Sequence, residues 1–308
     1  MTDFKHYTVM LNEAVDALEC KDGKIYVDCT LGGGGHSELI LKRISPNGKL
    51  ISFDIDDEAI SHATKRLEKY PNLTVVKSSY TNIKEELKKI GIEKITGGVL
   101  LDLGASYHQL TKAERGFSFS KNAPLDMRFN MQADFSAYDV VNTYKEEDLV
   151  RIFSEYGEER FSKRIAKKIV EVRAKKKIET TCELAELIVN ATPKIKSSIH
   201  PATRVFQAIR IEVNNELKNV NSVLHDILDL LDVGGIISVI SFHSLEDRIV
   251  KKILKFESQK CRCNEMICKC PPPRIELVNK KPIIASEEEI RENPPSRSAK
   301  LRIARCIS

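Results

Sequence analysis

Long apolar runs are missing from this 308-residue chain, and none approaches the ~18 residues a membrane-spanning helix needs. The opening stretch, Met1-Thr2-Asp3-Phe4-Lys5-His6, has no apolar core of the kind a signal peptide carries, so a cytoplasmic protein with no membrane partner is expected. Cysteine is too sparse for a disulfide scaffold: there are eight, of which Cys20, Cys29, Cys182 and Cys306 are scattered, and a reducing compartment fits. Internal repeats and low-complexity tracts are absent. Charge of one sign is barely in excess; a net charge of +5 says little about a partner until its distribution is considered. What the chain does have is a 42% hydrophobic fraction, enough for a full core, at a length that suits about two domains.

The first hundred residues alternate apolar strands and helical stretches. Residues 24–29, 50–54, 73–76 and 99–103 read as strands, and 58–69 as a helix with Ile60, Ala63 and Leu67 on one face. That alternation predicts an α/β fold with a doubly wound, mostly parallel sheet. After Gly104 the pattern turns helical, with capping-box starts expected at Thr143–Glu146 and Thr180–Glu183. A long helix is expected over 204–231. It leads through Gly234-Gly235 into a strand at 236–240, a helix capped at Ser244–Asp247, and a closing antiparallel pair at 275–278 and 301–307.

The strongest local signal is Asp28-Cys29-Thr30-Leu31-Gly32-Gly33-Gly34-Gly35-His36, a buried strand that runs through four glycines into a helix. Glycines let the backbone approach a ligand closely, and the helix N-terminus offers free N–H groups. Asp54, at the end of the next strand, is placed to accept from ribose hydroxyls. Both nicotinamide dinucleotides and S-adenosylmethionine carry that ribose. The dinucleotide fingerprint wants a third glycine, and Ser37 or Glu38 stands there instead. Asp28 suits a cofactor with a cationic sulfonium and ammonium, which favours the methyl donor; a ligand-free turn is the plain alternative. Tyr80 can border an adenine or simply pack in the core. Asp102 ends the fourth strand at the same crevice, or caps a helix.

Beyond Asp102, the run to Gln109 offers polar groups and one aromatic, Tyr107, that can stack on a base. From Arg160 to Lys177 there are nine Lys or Arg and one acid, Glu171. The stripe Phe161, Ile165, Ile169 and Val172 turns the cations outward, and Lys163, Arg164 and Lys167 are candidates for phosphate contact, against the alternative of a solvated face. Cys261-Arg262-Cys263 and Cys268-Lys269-Cys270 form two C-x-C pairs four residues apart. They allow a tetrahedral zinc or a metal-free loop.

Further stretches carry a family resemblance. They include His6 to Val15, Gly33 to Ser37, Leu101 to Gly104, Glu114 to Phe119, Pro124 to Arg128 and Tyr156 to Phe161. His200 to Arg204, Ser241 to Arg248 and Asn293-Pro294 complete the set. Over nearly its whole length the chain resembles the bacterial ribosomal RNA small subunit methyltransferase H family, which N4-methylates a cytosine of 16S rRNA in the decoding region. The resemblance implies a seven-stranded Rossmann-like sheet with S-adenosylmethionine contacts at Gly34, Gly35, His36, Asp54, Tyr80, Asp102 and Gln109. It also implies a helical domain inserted after the fourth strand. The division expected is a cofactor domain in two parts, 1–110 and 204–308, around an RNA-binding insert, 111–203. The family commonly has Phe at Tyr80, and Gly-Val-Ser-Ser-Pro-Gln where this chain has Gly104-Ala105-Ser106-Tyr107-His108-Gln109. Ser106, Tyr107, His243 and Ser244 are candidate substrate contacts, with Asp102, Ser106 or His243 to receive the hydrogens of the acceptor amine. The partner expected is 16S rRNA within the small ribosomal subunit; the residues leave room for a homodimer without deciding it. Transfer to DNA or protein amines, a non-catalytic assembly factor and a nicotinamide dehydrogenase are the other readings.

Overall fold

The computed structural model describes residues 8–104, 112–193, 200–263 and 270–308. The chain divides into two compact units, one made of 1–104 with 217–308 and the other of 105–216. The first unit is built on strands β1 (Ile25–Asp28), β2 (Lys49–Asp54), β3 (Leu73–Lys77), β4 (Gly98–Asp102), β5 (Ile236–Ser241), β6 (Ile275–Leu277), β7 (Ile283–Ile284) and β8 (Lys300–Cys306). Their order is β3-β2-β1-β4-β5-β8-β6, with β7 also on β8. The first five are parallel; β8 runs antiparallel to β5, β6 and β7. Among the described residues the sheet thus has eight strands rather than the expected seven. The seven-residue β8 takes two short partners on its outer side: β6 against 304–306 and β7 against 300–301. A two-residue strand is too short to leave a period-two signal in the sequence.

Parallel strands covered on both faces read as continuous apolar runs, and β5 is buried at every position. Its one mid-strand polar group, Ser238, donates to the Ala14 carbonyl at 3.0 Å and so is satisfied. Helices α1 (Leu11–Asp16), α2 (Gly35–Ile44) and α3 (Asp57–Leu67) join Tyr26, Leu50, Leu100 and Ile240 in the core on one face. Helix α4 (Ile83–Lys89) packs with Val27, Ile51, Leu101 and Val239 on the other.

The second unit holds helices α5 (Ala137–Thr143), α6 (Glu146–Glu155), α7 (Ser162–Arg173), α8 (Thr181–Ala191) and α9 (Ala202–Asn214) around a separate core that includes Val140, Phe153, Ile165, Ile169, Leu184 and Ile209. Thr180 does form the expected capping box with Glu183. Thr143 does not cap α6. It is the last residue of α5, its hydroxyl donates to the Asp139 carbonyl at 2.6 Å, and Lys145 takes the cap position without a side-chain bond.

The expected helix over 204–231 is two helices. Asn215 adopts a left-handed φ of 51° and closes α9, and α10 (Glu216–Leu230) starts at the next residue. Val205, Phe206, Ile209 and Val213 belong to the insert's core, whereas Val220, Val223, Leu224 and Ile227 belong to the sheet's. The insert therefore extends to 216 rather than ending at 203. Helical periodicity continues across the break, so it could not show which core each half serves. Helices α11 (Ser244–Glu257) and α12 (Glu287–Glu292) are the remaining α-helices among the described residues. Among the described residues, no helix is long and apolar enough to cross a membrane.

Candidate active site

The carboxyl ends of β1, β2 and β4 gather the acids singled out in the sequence. Asp28 is fully buried, and its Oδ1 accepts from the Thr30 N–H at 3.1 Å. Its Oδ2 accepts from the Ser37 hydroxyl at 2.6 Å, and Ser52 extends this chain with its Oγ 2.9 Å from that of Ser37. Asp28 thus ties the loop after β1 to the first turn of α2. Burial pushes its carboxyl up to about 6, the Ser37 and Thr30 bonds resisting.

The glycine loop folds over this anchor. Gly34 has a φ of 79°, and a Cβ there would meet the Leu67 and Ala63 side chains at 3.2 and 3.3 Å. A Cβ on Gly35 would lie 1.9 Å from Thr8 Oγ1. These two positions need glycine for conformation and for close approach, and the helix begins at Gly35 rather than near Ser37. Asp54 locks the other side: its Oδ2 accepts from the Gly32 N–H at 2.8 Å, and its Oδ1 from those of Ile55 and Asp56 at 2.8 and 2.9 Å. Burial raises Asp54 too, against these bonds. Three of its roughly four acceptor positions are taken, so a ribose hydroxyl would have one left.

His36, on the first turn of α2, is buried, with Nε2 3.1 Å from the Val9 carbonyl and Nδ1 3.8 Å from Asp102 Oδ2. The Asp102 N–H donates to Thr30 Oγ1 at 2.9 Å, which fastens the end of β4 to the same loop. Asp102 Oδ1 is buried without a hydrogen-bond partner among the described residues. Burial, then the charges of Asp28 and Glu246, hold the Asp102 carboxyl well above the usual carboxylate range. Among the described residues, neither lysine nor arginine pairs with Asp28, Asp54 or Asp102. Tyr80 opens a short 3-10 turn (Tyr80–Asn82) after β3 and is partly buried against the core beneath the sheet.

After β5 the expected cap shifts by one residue. His243, not Ser244, is the N-cap of α11: its Nδ1 accepts from the Glu246 N–H at 3.4 Å, and its Nε2 lies 3.1 Å from Glu246 Oε1. Glu246 Oε2 in turn accepts from the N–H groups of Phe242 and His243 at 2.8 and 3.3 Å. Both ring nitrogens of His243 therefore face its own capping box. The sequence assigns no role in the site to Thr30 or Ser52, marks Ser37 only as the place of a missing glycine, and places Glu246 only within the expected helix cap. The only signal was an acid three residues after His243, since histidine is an uncommon cap. Ser106, Tyr107, Gln109 and Cys268 lie outside the described residues.

On the insert, α7 buries Ile165, Ala166 and Ile169 and exposes Lys163, Arg164, Lys167 and Lys168. Lys168 lies 3.6 Å from Glu171, and Arg173 is turned inward onto the carbonyls of Val141 and Tyr144. Lys163, Arg164 and Lys167 have no carboxylate partner among the described residues, and their spacing puts them on one face.

A glycine cradle, buried acids that no described lysine or arginine pairs with, and a carboxylate oxygen without a partner among the described residues fit a cofactor that is a cation with a nucleoside attached. A doubly wound sheet bearing them at its carboxyl end is that of an S-adenosylmethionine-dependent methyltransferase. The chain belongs to the MraW methylase family, whose model matches residues 3–307. It is 51% identical over 311 residues to the ribosomal RNA small subunit methyltransferase H of Clostridioides difficile (strain 630), covering 99% of this chain and all of that one. Against the protein of that name from Caldicellulosiruptor bescii, identity is 52% over 304 residues, covering 98% and 99% of the two chains. Among solved structures, an rRNA methylase from Streptococcus thermophilus aligns with a TM-score of 0.45 at 11% identity, covering 96% of this chain and 95% of that one.

Proposed function

We propose that this enzyme methylates N4 of a cytosine in 16S rRNA, in the decoding region of the small ribosomal subunit, in the cytoplasm. S-adenosylmethionine supplies a methyl group already activated on a sulfonium. The protein's work is therefore to bind, align and exclude water, and alignment alone can supply ~7–11 kcal/mol. Gly34 and Gly35 admit the cofactor close to the backbone, Asp54 and Tyr80 flank the nucleoside, and Asp28 holds the loop in shape.

The observation that carries the chemistry is Asp102 Oδ1, buried and without a partner among the described residues. An exocyclic amine is a poor nucleophile because its lone pair is delocalised into the ring. An acceptor for its hydrogens sharpens it. Asp102 has an oxygen to offer, whereas His243 faces Glu246. Lys163, Arg164 and Lys167 supply an unneutralised face for RNA phosphates, while the base itself must leave its stack to react. The choice of acceptor rests on near-full-length relatives of about half identity that carry the ribosomal name.

The test is to offer the enzyme small subunits from a strain lacking it, with labelled S-adenosylmethionine, and to map the product by mass spectrometry. N4-methylcytosine in 16S rRNA is the expected result, and label entering only DNA or protein overturns the proposal. A homodimer is compatible with this reading: sedimentation at twice the 34.8-kDa chain mass would show it, and sedimentation at one chain mass would exclude it.

A further inference from the structure

The C-terminal cysteine cluster has no part in the chemistry above. It lies in the connection between α11 and β6, far along the chain from the loop and strand-end acids of the site. The base of this connection is closed by the Arg274 N–H donating to the Glu257 carbonyl at 3.0 Å and by the Ile307 N–H donating to the Arg274 carbonyl at 2.9 Å. Its described part brings few apolar side chains: Cys261 is exposed, and Cys263 and Cys270 are half-buried. A short loop of that kind has little hydrophobic burial to fix it.

Yet three thiols converge there. The sulfur atoms of Cys261, Cys263 and Cys270 all lie within 4.8 Å of one another. Cys261 Sγ and Cys263 Sγ are 3.8 Å apart, far beyond the ~2.05 Å of a disulfide. Sulfurs at two corners of a tetrahedron with Zn–S bonds of ~2.3 Å are separated by about 3.8 Å. Cys261 Sγ donates to the Cys263 carbonyl at 3.2 Å, a thiol proton that a metal would replace, whereas the surroundings of Cys270 already suit a thiolate. The Arg262 N–H donates to Cys270 Sγ at 3.2 Å. The Arg262 side chain is held over the Phe256 ring at 4.9 Å, and one of its nitrogens lies 3.2 Å from the Glu257 carbonyl. Residue 262 is thus fixed between the two sulfurs of its own C-x-C pair, with its amide aimed at a sulfur of the other. Such outer hydrogen bonds orient metal ligands.

We propose that Cys261, Cys263 and Cys270 bind a zinc ion that staples the α11–β6 connection. Three thiolates occupy three corners of the tetrahedron. The role is structural: the ion takes the place of a core that the loop lacks.

The full-length protein, purified without chelator under reducing conditions, should contain about one zinc per chain by mass spectrometry of the metal. Replacing zinc by cobalt should give the intense visible bands of a tetrahedral site with sulfur-to-metal charge transfer. The double variant Cys261→Ser/Cys270→Ser should lose the metal and melt at lower temperature while keeping the wild-type affinity for S-adenosylmethionine. The cobalt spectrum of the unmutated protein keeps the proposal testable should the variant fold poorly. Metal-free protein whose cysteines do not take up added zinc would overturn it. So would an octahedral cobalt spectrum, a Cys261–Cys263 disulfide in protein handled anaerobically, or unchanged zinc content in the double variant.

Discussion

His36 and Asp102 face each other across 3.8 Å, with the far nitrogen of His36 set on the Val9 carbonyl at 3.1 Å. A carbonyl only accepts, so Nε2 carries a hydrogen, and the neutral ring presents a bare Nδ1 to Asp102. At 3.8 Å the ring nitrogen and Oδ2 are too far apart for a hydrogen bond, so the imidazole lies against the carboxyl without bonding it. Oδ1 stays free to meet a ligand, in a setting where burial already disfavours the charge. Replacing Asp102 by Asn keeps the shape and removes the charge. Asp102→Asn should weaken S-adenosylmethionine binding roughly tenfold, through the lost attraction between carboxylate and sulfonium rather than a lost hydrogen bond, since Oδ1 is the oxygen left for the acceptor amine. S-adenosylhomocysteine, whose sulfur is neutral, should lose less. Calorimetric titration of both ligands decides it; equal losses would remove the charge argument.

The same carboxyl sets a pH dependence. Asp102 titrates well above the ordinary range, and its ionised form is the one that attracts a cation. Affinity for S-adenosylmethionine should therefore fall as pH is lowered through the raised pKa, and binding should release protons. In Asp102→Asn this component should vanish. Titrations in buffers of different ionisation enthalpy measure the release directly, and a wild-type affinity that does not fall on acidification would contradict the assignment.

Asp28 makes a stability prediction. Its folded pKa of about 6 lies above the ordinary 3.8, so the folded state holds this proton more tightly than the unfolded chain. Stability from this group is therefore greatest at low pH, falls as pH rises between those two values, and is flat above. A shift of about two units corresponds to roughly 3 kcal/mol as an upper bound. Asp28→Asn can still accept from the Thr30 N–H and removes the buried charge. It should melt higher than wild type at about pH 7.5 and converge with it at about pH 3, below both values. Thermal melts across that range test it, and a variant destabilised equally at both ends would show that the Ser37 bond outweighs the burial cost.

Gly34→Ala should be costly for two reasons that act together. The left-handed φ strains any residue with a Cβ, by roughly 1–2 kcal/mol, and the added methyl presses on Leu67 and Ala63. The loop would have to shift away from the crevice, so cofactor affinity should drop more than stability does. Gly91→Ala is the control. It also has a positive φ, but nothing crowds it and it is far from the loop in sequence, so it should lose stability alone.

Much of this site is readable in the sequence because parallel strands are apolar throughout and acids mark where they end. Asp28, Asp54 and Asp102 stand out on that ground alone. Their partners do not. The reach of His36 to Val9, and of Asp102 to Thr30, joins segments whose proximity follows from strand order, which periodicity does not encode. The break at Asn215 was hidden for a related reason: a non-glycine residue in the left-handed region leaves the apolar spacing intact. His243 as a cap was hidden by its chemistry, because the familiar box begins with serine or threonine.

The cationic face of α7 gives the prediction that bears most directly on the acceptor. If Lys163, Arg164 and Lys167 meet RNA phosphates, each contact releases counterions, and the logarithm of affinity falls with that of salt by about 0.7–0.9 per contact. The triple change Lys163→Gln, Arg164→Gln and Lys167→Gln should therefore flatten that slope by about 2–3 and raise KM for small subunits, with kcat little altered. Affinity for S-adenosylmethionine should stay as it was, because these side chains belong to the insert and the cofactor residues to the sheet. Since they are exposed and have no carboxylate partner among the described residues, the fold should tolerate their loss. Filter binding over a salt series gives the slope and steady-state assays give the split between KM and kcat. An unchanged slope would return α7 to the status of an ordinary solvated helix.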